Sequence, residues 1–175
     1  MKPCVFFDRD GVVNTAPPPE MYYVTRVDDF HLEPGFVEAL RVVRARGYEA
    51  VIVTNQKCVA RGLLTPEGLE HIHAHLRELL AAQGLCLTDI VTCPHGDDEC
   101  DCRKPKPGML LAAAQRHALD LSRSWMVGDS ERDIEAGRAA GCRTVLIAPP
   151  DRRTTADHQV TSVDELSSFL DSHLT

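Results

Sequence analysis

The residues most able to do chemistry cluster in the stretch "CPHGDDECDCRKPKPG", positions 93–108. Cys93, His95, Cys100 and Cys102 form the pattern C-x-H-x4-C-x-C. A Cys3His set suits tetrahedral structural zinc and leaves no open position for a substrate. Magnesium chemistry does not use thiolates. The expected role of this metal is therefore to hold the loop in shape, with Arg103 and Lys104 as what the loop presents; free thiols or a local disulfide are the plainer alternatives. Pro105 and Pro107 restrict their own backbone and that of the residue before each, which keeps Lys104 in a loop. Asp97, Asp98, Glu99 and Asp101 read as a solvated acidic rim.

Two further stretches carry paired carboxylates. In "FFDRDGVVN", Asp8 and Asp10 stand two residues apart after an apolar run, and in extended chain such residues face the same side. Like charges at one point repel unless a cation lies between them or one is protonated. In "VGDSERD", Asp129 follows another apolar run and Asp133 comes four residues later, one turn on if a helix has begun. Magnesium prefers carboxylate oxygens and retains waters, and Asp8, Asp10 and Asp129 suit it. The structural alternatives are an acidic turn closed by Gly11, a helix N-cap at Asp129, and an Asp133 that complements a helix dipole. "VIVTNQ" adds Thr54 and Asn55, which can hydrogen-bond a phosphoryl oxygen or form a polar turn.

These groups need a scaffold that gathers them. The apolar runs 4–7, 49–54, 89–92, 125–128 and 144–148 read as buried strands. Helices are expected over 35–46, from Thr65-Pro66 to a stop at Gly84, over about 109–118, over 131–140, and after the capping-box pattern "SVDE" at 162–165. This alternation implies a doubly wound α/β domain with a mainly parallel sheet. Ligands in such sheets bind beyond the carboxyl ends of the strands. Asp8 and Asp10, Thr54 and Asn55, the Cys/His loop, and Asp129 and Asp133 each follow a strand, so all fall at one edge. His71, His73 and His75 read as a solvated helix face, and Trp125 as core.

The 175 residues suffice for one domain with a real core. The apolar run near the amino terminus is broken by Asp8 and Asp10, unlike a signal peptide or a membrane span. Seven scattered cysteines do not form a secreted disulfide framework. A cytoplasmic, monomeric protein is expected, with no membrane partner. The formal net charge of −7 argues against nucleic acid. It also requires any anion site to build its own positive potential.

Asp8-Arg9-Asp10-Gly11, then Thr54, then Lys104 within "KPKP", then Gly128-Asp129 with Asp133 resemble, in order and spacing over nearly the whole chain, the haloacid dehalogenase (HAD) superfamily of phosphohydrolases. The resemblance implies a HAD-like fold without a large cap domain. It implies that Asp8 attacks phosphorus to form an aspartyl-phosphate and that Asp10 serves as acid and then base. It implies magnesium on Asp8, Asp129 and the backbone carbonyl of Asp10, with Thr54 and Lys104 binding the transferring group and Asp133 orienting Lys104 or metal-bound waters. The Cys3His loop, at about 93–102, narrows the resemblance to the zinc-containing branch that holds D-glycero-D-manno-heptose 1,7-bisphosphate phosphatases and bacterial histidinol-phosphate phosphatases. "DRDGVVN", "TNQ…ARG" and "CRKPKPGML" lean to the first, and the short loop with "ECDCRKPK" to the second. Lys57-Cys58 departs from the small Ser-Gly-type pair frequent there. The implied substrate is a small phosphorylated metabolite, with the heptose bisphosphate favoured. Asn55, Lys57, Arg61 and Arg103 are the candidate substrate-binding residues, and 15–33 the candidate specificity flap. Histidinol phosphate, which carries a cationic amine, would call instead for carboxylates such as Glu20, Asp28 or Asp29. A catalytically inactive domain of the same fold is the alternative from another class.

Overall fold

The strand "CVFF", Cys4–Phe7 (β1), has every side chain buried, and the rest of the sheet is built outward from it. In the computed structural model, which describes residues 1–175, β1 lies between Glu49–Asn55 (β2) and Trp125–Gly128 (β4). Asp89–Cys93 (β3) flanks β2, while Arg143–Ile147 (β5) and His158–Val160 (β6) continue beyond β4. The order is β3-β2-β1-β4-β5-β6 and every pairing is parallel. Between β1 and β4 the chain changes direction across the sheet, the crevice where ligands of such folds bind. Asp8 and Asp129 are the residues just past these two strands.

A parallel sheet must be covered on both faces, and alternation along each strand supplies both. Val5, Phe7, Ala50 and Ile52 face the larger core with helices Pro34–Ala45 (α1), Pro66–Ala81 (α2) and Leu166–His173 (α5). Phe6, Val51 and Val53 face the smaller core with Gly108–His117 (α3) and Glu131–Ala140 (α4). Thr65 caps α2, its hydroxyl accepting from Gly68 N at 3.0 Å ahead of Pro66. On α4, a Cβ at Gly137 would lie 2.6 Å from Cβ of Met126, so glycine allows the helix to approach β4. Trp125 is buried in the larger core, as expected.

The structure departs from the sequence reading at several elements. β6, only three residues long, was not foreseen. α2 ends at Ala81, before Gly84. Ser162 makes no capping bond; Glu165 reaches Thr161 instead, accepting from its N–H at 2.9 Å and its hydroxyl at 2.6 Å, and a short 3-10 turn precedes α5. No helix is long and apolar enough to cross a membrane. No cap domain stands over the sheet. The segment 15–33 forms a flap whose base is closed by Thr15 N to His31 O and Glu33 N to Val13 O, each 2.9 Å. Val24 and Phe30 root it in the core, while Met21 and Tyr22 are exposed at its tip.

Candidate active site

Asp8 leaves β1 with its backbone N–H still bonded to Val127 O at 2.9 Å, so the sheet itself fixes its position. Lys104 Nζ lies 2.8 Å from Asp8 Oδ1, 2.6 Å from Asp133 Oδ1 and 2.8 Å from the carbonyl of Val53. Lys104 is only 2% exposed. Burial alone would favour its neutral amine, but the carboxylates of Asp133 and Asp8 outweigh that and hold the ammonium well above its usual pKa. The N–H of Arg9 also falls on Asp8 Oδ1, at 2.8 Å. Both contacts leave Asp8 Oδ2 free.

Asp133 Oδ2 accepts from the N–H and the hydroxyl of Ser130, at 3.1 and 2.7 Å. The same side chain thus joins the start of α4 to Lys104. Ser130, not Asp129, is the N-cap. Asp8, Asp129 and Asp133 bring carboxylate oxygens within 4.8 Å of one another. With Asp133 engaged on both oxygens, Asp8 and Asp129 remain for a cation. Burial pushes the Asp8 carboxyl up to about 7 against the pull of Lys104, and burial with Asp133 nearby pushes Asp129 up to about 6. Two buried carboxylates short of positive charge fit a hard divalent ion. Gly11, at φ +90, permits this approach: a Cβ there would lie 2.2 Å from Asp129 Oδ2.

Asp10 lies in different surroundings. Arg9 donates to it through Nη2 at 2.9 and 3.1 Å and through Nε at 3.2 Å. Asn14 Nδ2 adds 3.0 Å and Gln56 Nε2 adds 2.9 Å. Against its burial, these donors hold the Asp10 carboxyl below the usual range. Gln56 also donates to Thr54 Oγ1 at 2.9 Å, which ties the β2 loop to the β1 loop. Arg9, Asn14 and Gln56 were not foreseen. In a fully extended segment Arg9 would point away from Asp8 and Asp10; the chain turns instead, and a fully buried guanidinium folds beneath Asp10.

The Cys/His residues converge. Sγ of Cys93 lies 3.6 Å from His95 Nδ1 and 3.5 Å from Cys100 Sγ. Cys102 Sγ lies 3.3 Å from His95 Nδ1 and 3.2 Å from Cys100 Sγ. A tetrahedral zinc needs such atoms roughly 3.6–3.8 Å apart, whereas a disulfide needs about 2.05 Å. The donor set fits zinc, and the separations of 3.2–3.6 Å, somewhat shorter than that spacing, are far too long for a disulfide. Beyond it, Asn55 grips the backbone of Lys104, its Oδ1 accepting at 3.1 Å and its Nδ2 donating at 3.0 Å. The Lys104 loop is thus held by Asn55 on one side and closely preceded on the other by the converged Cys/His residues. The acidic residues there are more than a rim: Asp97 pairs with Lys57 and, at 3.0 Å, with Arg103, while Glu99 accepts from Gly96 N at 2.7 Å and Asp101 pairs with Lys106 at 3.1 Å.

Asp8, Asp10, Thr54, Lys104, Asp129 and Asp133 line one cavity of about 240 Å³. It opens into an outer cavity of about 510 Å³ lined by Lys57, Arg61, Arg103, Arg132, Asp97 and the flap tyrosines Tyr22 and Tyr23. Arg132 and the tyrosines were missed. Glu20, Asp28 and Asp29 line neither cavity. The expectation of a solvated histidine face fails at His73, which is 3% exposed and faces Arg9; His71 is exposed.

A model of the HAD-hydrolase-like family matches residues 101–166. A D-glycero-β-D-manno-heptose-1,7-bisphosphate 7-phosphatase of Pseudomonas aeruginosa is 44% identical over 144 residues, 82% of this chain and 79% of that protein. One of Pasteurella multocida is 35% identical over 178 residues, 98% of this chain and 95% of that protein. The crystal structure of D,D-heptose 1,7-bisphosphate phosphatase from B. bronchiseptica, complexed with magnesium and phosphate, superposes with a TM-score of 0.82 at 33% identity, covering 97% of this chain and 98% of that one.

Proposed function

The chain belongs to the HAD-like phosphatase family of these heptose bisphosphate phosphatases, and from that premise we propose that it removes the 7-phosphate of D-glycero-β-D-manno-heptose 1,7-bisphosphate through an aspartyl-phosphate on Asp8. The observation that carries the chemistry is the convergence of Asp8, Asp10, Thr54, Lys104 and Asp129 on one cavity. Asp8 Oδ2 attacks phosphorus and the bond from phosphorus to the sugar oxygen breaks. Asp10 gives that oxygen a proton, then takes one from the water that cleaves the aspartyl-phosphate. The donors around Asp10 favour the anion that the second step needs; an arriving phosphate dianion favours the acid that the first step needs. Thr54 and Lys104 hold the transferring group, and Asp133 keeps Lys104 charged and aimed. Asp8, Asp129 and the carbonyl of Asp10 would hold magnesium, which when bound neutralises nonbridging oxygens. Zinc on Cys93, His95, Cys100 and Cys102 would anchor the Lys104 loop; its thiolates call for a reducing compartment, which supports a cytoplasmic setting.

The substrate reading rests on the outer cavity. Four cations and one carboxylate line it, a balance that suits a second phosphate and repels the amine of histidinol phosphate. The flap 15–33 brings Tyr22 and Tyr23 to the same place. Phosphorus NMR of the purified protein with magnesium and the bisphosphate should show loss of the 7-phosphate and retention of the 1-phosphate. No turnover, or preferential cleavage of histidinol phosphate, would reject the substrate.

A further inference from the structure

His73 has no part in the reaction described above, yet it lies buried behind it. Its Nε2 is 3.4 Å from Nη1 of Arg9, and its Nδ1 is 3.9 Å from a carboxylate oxygen of Glu70, the next acid on α2. The other side-chain hydrogen bonds of Arg9 all go to Asp10. A guanidinium carries only donors and stays charged. The imidazole nitrogen facing it must therefore be the acceptor, with the ring proton on Nδ1 toward Glu70. Burial and the Arg9 charge push His73 down to about 4, in keeping with a neutral ring.

Contacts through Nε and Nη2 hold one edge of the guanidinium against Asp10 and leave Nη1 as its one corner off that carboxylate. His73 supplies the third fixed point, on Nη1. We propose that His73 is a positioning residue: by accepting from Arg9 it fixes the guanidinium plane and so the direction in which the Asp10 carboxyl meets the leaving oxygen. The inference rests on the reading of Asp10 as the proton donor.

A purely structural role would make His73 matter equally for every substrate. A positioning role makes it matter most where the leaving oxygen needs a proton. A sugar alkoxide does; p-nitrophenolate scarcely does. His73→Leu removes the acceptor and leaves a buried N–H unpaired. It should lower kcat/KM for the heptose bisphosphate by about tenfold to a hundredfold, the scale of a misplaced acid, and change p-nitrophenyl phosphate by less than about threefold. His73→Gln, whose Oε1 can accept from Arg9, should restore most of the loss. Arg9→Lys should lower sugar-phosphate turnover, and adding His73→Leu to it should cost nothing more, since contacting residues acting through one path are not additive. If the leucine variant does not fold, His73→Asn, too short to reach Arg9, makes the same comparison. Equal losses on both esters, no loss, or glutamine behaving like leucine would overturn the inference. A wild-type protein that cleaves neither ester would instead overturn the phosphatase reading.

Discussion

Lys57 and Arg103 share one carboxylate, that of Asp97. Their charge toward a ligand is therefore partly cancelled in advance. Arg132 makes no ion pair and borders both cavities, and Arg61 lies 5.9 Å over the ring of Tyr23 without an acidic partner. The burden of a second phosphate falls on these two. Arg132→Ala should raise KM for the bisphosphate about tenfold to a hundredfold, the equivalent of one charged hydrogen bond of roughly 1.5–3 kcal/mol. Lys57→Ala should change it by less than about fivefold, since an exposed pair contributes about 0–1 kcal/mol. Steady-state kinetics with both variants decide it, and a larger effect from Lys57 reverses the assignment. At this scale the sequence was legible at the strand ends: Asp8 and Asp129 follow an apolar run, Thr54 ends one, and Lys104 sits in the loop after β3, and all four line one cavity. Arg9, Gln56 and His73 were not legible, because their partners are set by packing. His73 meets Arg9 across 64 positions of chain, and no local pattern tells a buried histidine from a solvated one. Arg132 stayed hidden because "SERDIEAG" reads as an ordinary charged helix start.

The helices were legible through their caps and periodicity, and α4 matches its expected bounds. The last capping box failed because Ser162, though it stands at the N-cap position, makes no capping bond, and Glu165 accepts instead from the N–H and hydroxyl of Thr161. β6 escaped because three residues are too few to show an alternation. The loop between β3 and α3 has the most to lose from a local change. It carries Lys104, and four side chains whose types could hold a metal converge at its start. Purified protein should contain about one zinc per chain. Cys100→Ser should lose that zinc, lower the melting temperature, and slow both p-nitrophenyl phosphate and the bisphosphate by at least about tenfold, since a displaced Lys104 harms the scissile phosphate itself. Elemental analysis and thermal melts check the first two effects. Fully reduced, zinc-free protein with wild-type rates would show that the loop holds without metal.

Across the whole molecule, one sheet separates two cores, and the chemistry is confined to one edge of it. α5 closes the larger core against α1, with Leu166 and Leu170 wholly buried and Arg46 paired to Asp171 at 2.7 Å. No residue of α5 lines either cavity. Leu170→Ala should therefore cost about 2–5 kcal/mol of stability, read from denaturant unfolding, while kcat at temperatures where the variant is folded stays near wild type. A fall in kcat without a fall in stability would tie α5 to the site. Separation of this kind lets the edge specialise while the interior holds the fold. Its sharpest expression is the pair Arg103-Lys104. Lys104 reaches in to Asp8 while Arg103 lines the outer cavity, and Asn55 grips the backbone of Lys104 from one side. The reach from Lys104 to the mouth of the outer cavity is then set by peptide geometry rather than left to side-chain reach. On the proposed function, such an edge would act as a ruler, grading esters by the distance between their two charged ends.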